Sequence, residues 1–117
     1  MMKVKDAMTY HRECIGPLDS AAAAENIMRT TNVQTLSVSD HAKVIGTLTA
    51  QQIAERTPDM GKSPQRTRVD EIMEHCSIVV HENDDLGAVR DQMTRAGIIT
   101  VPVLDQNERI IGTLNAS

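Results

Sequence analysis

The sequence predicts a mixed α/β (α+β) fold built from two like halves, each running strand, helix, strand, strand, with a further short helix after the first set. Three observations carry this expectation. The second half aligns on the first, apolar residues recur at helical spacing once in each half, and short aliphatic runs flank each of those stripes. The pattern is therefore β-α-β-β(-α), twice.

The repeat is read directly from the residues. An offset of 65 positions pairs Val4 with Val69, Met8 with Met73, Asp19 with Asp84, Ala23 with Ala88, Met28 with Met93, Thr35 with Thr100, Val38 with Val103 and Asp40 with Asp105. One extra residue in the second half raises the offset to 66, and Ile45-Gly46-Thr47-Leu48 then matches Ile111-Gly112-Thr113-Leu114, with Ala50 on Ala116. That makes 13 identities in 47 aligned pairs, where unrelated chains of average composition give roughly 3.

Taken in order, Cys14-Ile15 reads as a first short strand. Asp19 then stands where an N-cap is expected, ahead of the stripe Ala21, Ala24, Met28 and Thr31, because its carboxylate can accept from the free N–H groups of a first helical turn. Asn32 follows, a residue type that enters the left-handed conformation and ends helices. Val33 to Val38 and Val44 to Leu48 are strands joined by the turn Asp40-His41-Ala42-Lys43. Thr49 caps a short helix, Ala50 to Arg56, which Pro58 ends. The second half repeats these events: Ile78-Val79-Val80, the cap candidate Asp84, the stripe Leu86, Val89, Met93 and Ala96, the stop at Gly97, then Ile98 to Leu104, the turn Asp105-Gln106-Asn107-Glu108, and Ile110 to Leu114. In each half the helix serves as the crossover between parallel strands. Repeat 1 is placed at 1–57, a linker with Pro58, Gly61 and Pro64 at 58–68, and repeat 2 at 69–117.

Composition narrows function. Twelve Lys and Arg against sixteen Asp and Glu give a net charge of −4, and 40% of residues are hydrophobic, as in an ordinary globular protein. The single aromatic, Tyr10, leaves no base-stacking platform, and with the acidic balance this argues against nucleic acid. No run of about 18 apolar residues is present and the N-terminus lacks a signal-peptide pattern, so no membrane association and a cytoplasmic setting are expected. No nucleophile, acid–base pair or phosphate-cradling Gly-rich loop stands out, so no catalysis is expected. Cys14 and Cys76 read as buried free thiols. A zinc site would need His11 and Cys14 to meet His75 and Cys76, and none of the usual ligand spacings occurs. No metal is therefore assigned. His41 and His81 fall in turns and read as solvated.

These residues resemble the cystathionine β-synthase-type (CBS) domain, normally a tandem pair called a Bateman module, over nearly the whole chain. The resemblance is carried by the opening segments Val4-Lys5-Asp6-Ala7-Met8-Thr9 and Val69-Asp70-Glu71-Ile72-Met73, by Ile99-Thr100-Val101-Pro102-Val103-Leu104-Asp105, and by Arg109-Ile110-Ile111-Gly112-Thr113-Leu114. It implies two repeats packed through their sheets about a pseudo-twofold axis, and a cleft between them for an adenosine-containing ligand: AMP, ADP, ATP or S-adenosylmethionine. It also implies a homodimer or partner that receives the binding event.

The family's contacting motif, G-h-h-[ST]-x-x-[DN], lies at Gly46-Thr47-Leu48-Thr49-Ala50-Gln51-Gln52. A hydroxyl beside free N–H groups suits phosphate, and a carboxylate one turn later suits ribose. Thr49 takes the phosphate position, though a plain N-cap needs no ligand. Gln52 stands in for the carboxylate, without charge-assisted strength, and reads equally as an exposed polar helical residue. In the second repeat Asn115 replaces the hydroxyl and Ser117 ends the sequence one residue short of the ribose position, without a second helix. A fragment, a trimmed chain or a face covered in a dimer would each account for that. Thr9, Ile15, Thr47, Thr100, Val101, Pro102 and Thr113 complete the candidate ligand residues that the resemblance implies. Arg56, Lys62, Arg66 and Arg68 make the linker basic, either to meet phosphates or as a solvated run.

Two functions follow: a regulatory module that senses an adenosine-containing nucleotide, or a ligand-free dimerisation and interaction module with degenerate sites.

Overall fold

The computed structural model describes residues 1–41, 43–76 and 78–117. Ala42, expected in the first hairpin turn, lies outside the described residues. In chain order the elements are a 3₁₀ turn Val4–Asp6, β1 Thr9–Tyr10, β2 Cys14–Ile15, α1 Ala21–Thr31, β3 Thr35–Asp40, β4 Lys43–Thr49, α2 Ala50–Arg56, a 3₁₀ turn Pro58–Met60, α3 Val69–Ile72, β5 Glu74–His75, β6 Val80–His81, α4 Leu86–Ala96, β7 Thr100–Leu104 and β8 Ile110–Asn115. They form two compact units. One is continuous, Glu13–His75, and the other is discontinuous, joining Met1–Arg12 to Cys76–Ser117.

Within the continuous unit the sheet order is β2-β3-β4-β5. β2 runs parallel to β3 with α1 as the crossover, and β4 pairs antiparallel with β3 and with β5. Ala21, Ala24 and Met28 of α1 and Ile53 of α2 pack on Leu36, Val38 and Leu48 of the sheet, together with Val69, Ile72 and Met73. The discontinuous unit repeats this as β1-β8-β7-β6, with Leu86, Val89 and Met93 of α4 packed on Val101, Val103, Ile111 and Leu114. The last stripe positions, Thr31 and Ala96, are exposed, because the chain leaves the helix at the next residue through left-handed Asn32 (φ 57°) and Gly97 (φ 70°).

The helix starts differ from expectation by one residue. Ser20 caps α1 by accepting from the Ala23 N–H at 3.0 Å, and Asp85 caps α4 by accepting from the Ala88 N–H at 3.0 Å. Asp19 and Asp84 instead turn back toward the preceding strand. Their carboxylates accept from the backbone N–H of Gly16 (2.9 Å) and His81 (2.8 Å), closing the strand-to-helix turn identically in both repeats. A cap must reach the third helical N–H, and only the residue next to the first helical turn does so.

The opening segments supply the largest addition. β1 pairs antiparallel with β8, Thr9 opposite Thr113 and Tyr10 opposite Gly112, so the start of repeat 1 completes the sheet of repeat 2. Reciprocally, β5 pairs with β4, Gly46 opposite His75 and Thr47 opposite Glu74. Both are pinned by the turn before them: the Val4 N–H donates to the Asp84 carbonyl at 2.9 Å and the Val69 N–H to the Asp19 carbonyl at 2.8 Å. The compact units therefore cut across the sequence ranges 1–57 and 69–117. Val4 and Met8 are buried in the core of the discontinuous unit, and Val69, Ile72 and Met73 in that of the continuous unit.

Candidate functional site

Strand alternation puts Leu36 and Leu48 on the helix-covered face and their neighbours on the other. Direct register then lines up Cys14, Ser37, Thr47 and Glu74 across β2, β3, β4 and β5 of the continuous unit. Ser37 and Thr47 are buried, and the Ser37 hydroxyl has no hydrogen-bond partner among the described residues. The same register in the discontinuous unit lines up Thr9, Thr113 and Pro102. His11 Nε2 lies 3.2 Å from Thr113 Oγ1, anchoring that hydroxyl. Ser37 and Glu74 belong to no motif of the sequence, and His11 reads from the sequence only as a candidate metal ligand. Strand register places Ser37 and Glu74, and His11 is placed by its backbone N–H, which donates to the Ile111 carbonyl at 3.0 Å just past β1.

Thr49 and Gln52 meet at the head of α2. The Thr49 hydroxyl accepts from the Gln52 N–H and Gln52 Oε1 accepts from the Thr49 N–H, each at 3.0 Å. This reciprocal cap satisfies two of the free donors of the first turn. It leaves the Thr49 O–H and the Gln52 amide N–H₂ as donors. In the other repeat, the Thr100 hydroxyl donates to Asn115 Oδ1 at 2.9 Å and Arg90 Nε donates to the Asn115 carbonyl at 3.3 Å. Of the remaining candidates, Thr9 is exposed on β1, Pro102 is buried on β7, and Ile15 and Val101 lie within the apolar cores of their units.

Three of the four basic residues, Arg56, Lys62 and Arg68, are engaged within the continuous unit, and Arg66 is exposed. Arg56 donates to the carbonyls of Ile72 (3.0 Å) and Met73 (3.3 Å) and meets Glu74 at 3.2 Å. Lys62 meets Glu71 at 2.8 Å and Arg68 meets Asp70 at 3.0 Å. The Lys62 hydrogen bond, followed by the Arg68 backbone N–H, holds the Glu71 carboxyl below the usual carboxylate range.

Several side chains are corrected. Cys14 is exposed, because it alternates with buried Ile15 on an edge strand, and Cys76 is half-buried. Burial pushes the Cys76 thiol up to about 11. His81, expected in solvent, is half-buried with Nε2 2.7 Å from Glu108 of the last hairpin turn. His41 is exposed as expected. Among the described residues no group of three or more His, Cys, Asp or Glu side chains is placed to hold a metal ion. No helix among them is long and apolar enough to cross a membrane.

Comparison with known proteins agrees with this architecture. The CBS-domain profile matches residues 69–117. The CBS domain-containing protein YhcV of Bacillus subtilis is 30% identical over 110 residues, which are 94% of this chain and 78% of that protein. The chain belongs to the CBS-domain family. Its two repeats make it a tandem CBS module. The L-aspartate semialdehyde sulfurtransferase of Methanocaldococcus jannaschii is 29% identical over 98 residues, 83% of this chain but 18% of that enzyme. The crystal structure of the CBS domain pair of protein MJ0100, in complex with 5′-methylthioadenosine and S-adenosyl-L-methionine, superposes with a TM-score of 0.78 at 26% identity, covering 99% of this chain and 90% of that one.

Proposed function

We propose that this CBS module is regulatory: it binds an adenosine-containing ligand and passes the binding event to a partner or to a second copy of itself. The observation that carries the reading is the likeness, over nearly the full chain, to a CBS pair solved with two adenosine-containing ligands. The chain's own residues support it. Gly46-Thr47-Leu48 and Gly112-Thr113-Leu114 present a threonine at matching register positions of β4 and β8, and the Thr49 O–H and Gln52 amide are donors at the head of α2. The ligand residues we propose are Thr9, Thr47, Thr49, Gln52, Thr100, Pro102, Thr113 and Asn115, with Ile15 and Val101 supporting from the cores. Because Arg56, Lys62 and Arg68 already face carboxylates, S-adenosylmethionine or AMP is expected to bind better than ATP. The same reading makes the module a cytoplasmic homodimer with no reaction of its own, and with neither nucleic acid nor membrane as partner.

Thermal unfolding with AMP, ADP, ATP and S-adenosylmethionine at millimolar concentration tests the reading. Ligand at a hundredfold its Kd stabilises the folded state by about 2.7 kcal/mol, so a raised midpoint with at least one ligand, lost in Thr49→Val, is expected. A flat response to all four overturns it. One observation favours a second reading, a ligand-free interaction module: the Thr49–Gln52 cap and the Thr100–Asn115 bond already occupy polar groups that a ligand would use. That reading predicts a flat ligand panel together with a ligand-independent dimer.

A further inference from the structure

We infer that Cys14 is a site of covalent modification, forming a mixed disulfide with a low-molecular-weight thiol, and that the Ser37 hydroxyl assists the reaction. Parallel pairing of β2 with β3 sets Cys14 directly opposite Ser37, on the sheet face turned away from the core residues Ile15, Leu36 and Leu48. Cys14 is exposed on the edge strand, whereas Ser37 beside it is fully buried, and its hydroxyl has no hydrogen-bond partner among the described residues. A buried hydroxyl without a partner is costly. Next to a sulfur it has a use, because an O–H donates to a thiolate as the thiolate forms. The row thus sets a nucleophile that solvent can reach against a donor that serves nothing else. The second repeat supplies the contrast: its matching positions, one residue before the Val80–Val103 pair of β6 and β7, hold Val79 and Pro102. Those side chains neither react nor hydrogen bond, so this strand pair folds without a thiol or a hydroxyl there. Cys76 is half-buried with its thiol raised to about 11, and holds little thiolate.

In the reaction the Cys14 thiol gives up its proton and Ser37 donates to the resulting thiolate. The thiolate attacks one sulfur of a small disulfide, and the new Sγ–S bond forms as the old S–S bond breaks. The departing thiolate carries off the electron pair and takes up a proton, so Cys14 is oxidised and half of the small disulfide is reduced. Thr47 stands two strands from Cys14 in the same row, roughly 10 Å away, a span that a tripeptide-sized adduct covers. The adduct therefore lies over Thr47, and thiolation excludes the adenosine-containing ligand. This consequence, unlike the adduct itself, rests on the proposed function.

Glutathione disulfide at millimolar concentration, added to the native full chain and followed by intact mass and peptide mapping, tests this. One glutathionyl group per chain is expected, at Cys14, and none in Cys14→Ser. Ser37→Ala is expected to react about threefold more slowly, and Ser37→Thr, which keeps the hydroxyl, at about the wild-type rate. An unmodified chain, an internal disulfide, an adduct on Cys76 or a Ser37→Ala rate equal to wild type overturns the proposal. The rise in unfolding midpoint caused by ligand is expected to vanish in the thiolated chain and to return on reduction, and a rise that survives thiolation overturns the exclusion. A flat panel with the reduced chain overturns the ligand reading and the exclusion with it, while the adduct and its dependence on Ser37 stand.

Discussion

Gly112 faces the Thr9 carbonyl so closely that a Cβ on the glycine would overlap the carbonyl oxygen, and Gly46 stands in the same relation to the carbonyl of Glu74. Each glycine has an ordinary negative φ region available, so what it supplies is clearance: the opening segment can lie directly on the third strand of its sheet. Gly112→Ala must push β1 off β8. The expected loss is about 1–3 kcal/mol, measured by urea denaturation. Hydrogen exchange should show the His11 amide, which donates to the Ile111 carbonyl, released well before the amides of β7. Equal exchange in variant and wild type would show that the segment is not seated as described.

The caps offer a sharper test because neighbouring acids do different work. Asp85→Ala removes the acceptor of the Ala88 N–H and should cost about 1 kcal/mol, destabilising the first turn of α4. Asp84→Ala instead frees the His81 N–H at the start of the turn. Calorimetry should find both variants weakened, while helical circular dichroism in partial denaturant should report only Asp85→Ala as a fraying helix.

Acid should destabilise the fold through Asp105 and Glu71. The Arg109 backbone N–H, with that of Asn107 in support, holds the Asp105 carboxyl below its usual value, as Lys62 does for Glu71. A depressed folded-state pKa contributes stability above the ordinary carboxylate value, and that contribution is lost as pH falls through the folded-state value. The unfolding midpoint should therefore drop from about pH 5 downward. Asp105→Asn keeps an acceptor oxygen but no longer titrates, so its midpoint should fall less steeply over the same range.

The two thiols should be separable by reagent. With its thiol raised to about 11, Cys76 holds little thiolate at pH 8, whereas Cys14 is exposed on an edge strand. A disulfide reagent in native buffer should give one fast and one slow phase, and Cys14→Ser should remove the fast one. Two equal phases would contradict the burial of Cys76.

Much of this architecture is legible in the residues because punctuation recurs. Asn32 and Gly97 stop helices at matched positions, and Thr49 starts another; each is a local backbone event that one residue type controls. The cap register was missed by one residue because Asp19 and Asp84 look as suitable as Ser20 and Asp85, and only the reach to the third N–H separates them. β1 and β5 left no trace, since the polar pairs Thr9–Tyr10 and Glu74–His75 lack the aliphatic β-branched residues that mark the other short strands. Their exchange between repeats is a long-range pairing that no local propensity encodes. Of the candidate site, the Thr49 motif is visible through the family resemblance, whereas the row from Cys14 to Glu74 exists only once four strands are in register.

The discontinuous unit has a consequence for synthesis. The continuous unit holds every residue of its core by the time His75 has left the ribosome, and can close at once. Val4 and Met8 emerge before that unit, yet Leu114 and Ile111, which share their core, emerge after it. These two apolar residues thus wait through the making of the entire continuous unit, and this interval is where a nascent chain is most exposed to chaperones and to aggregation.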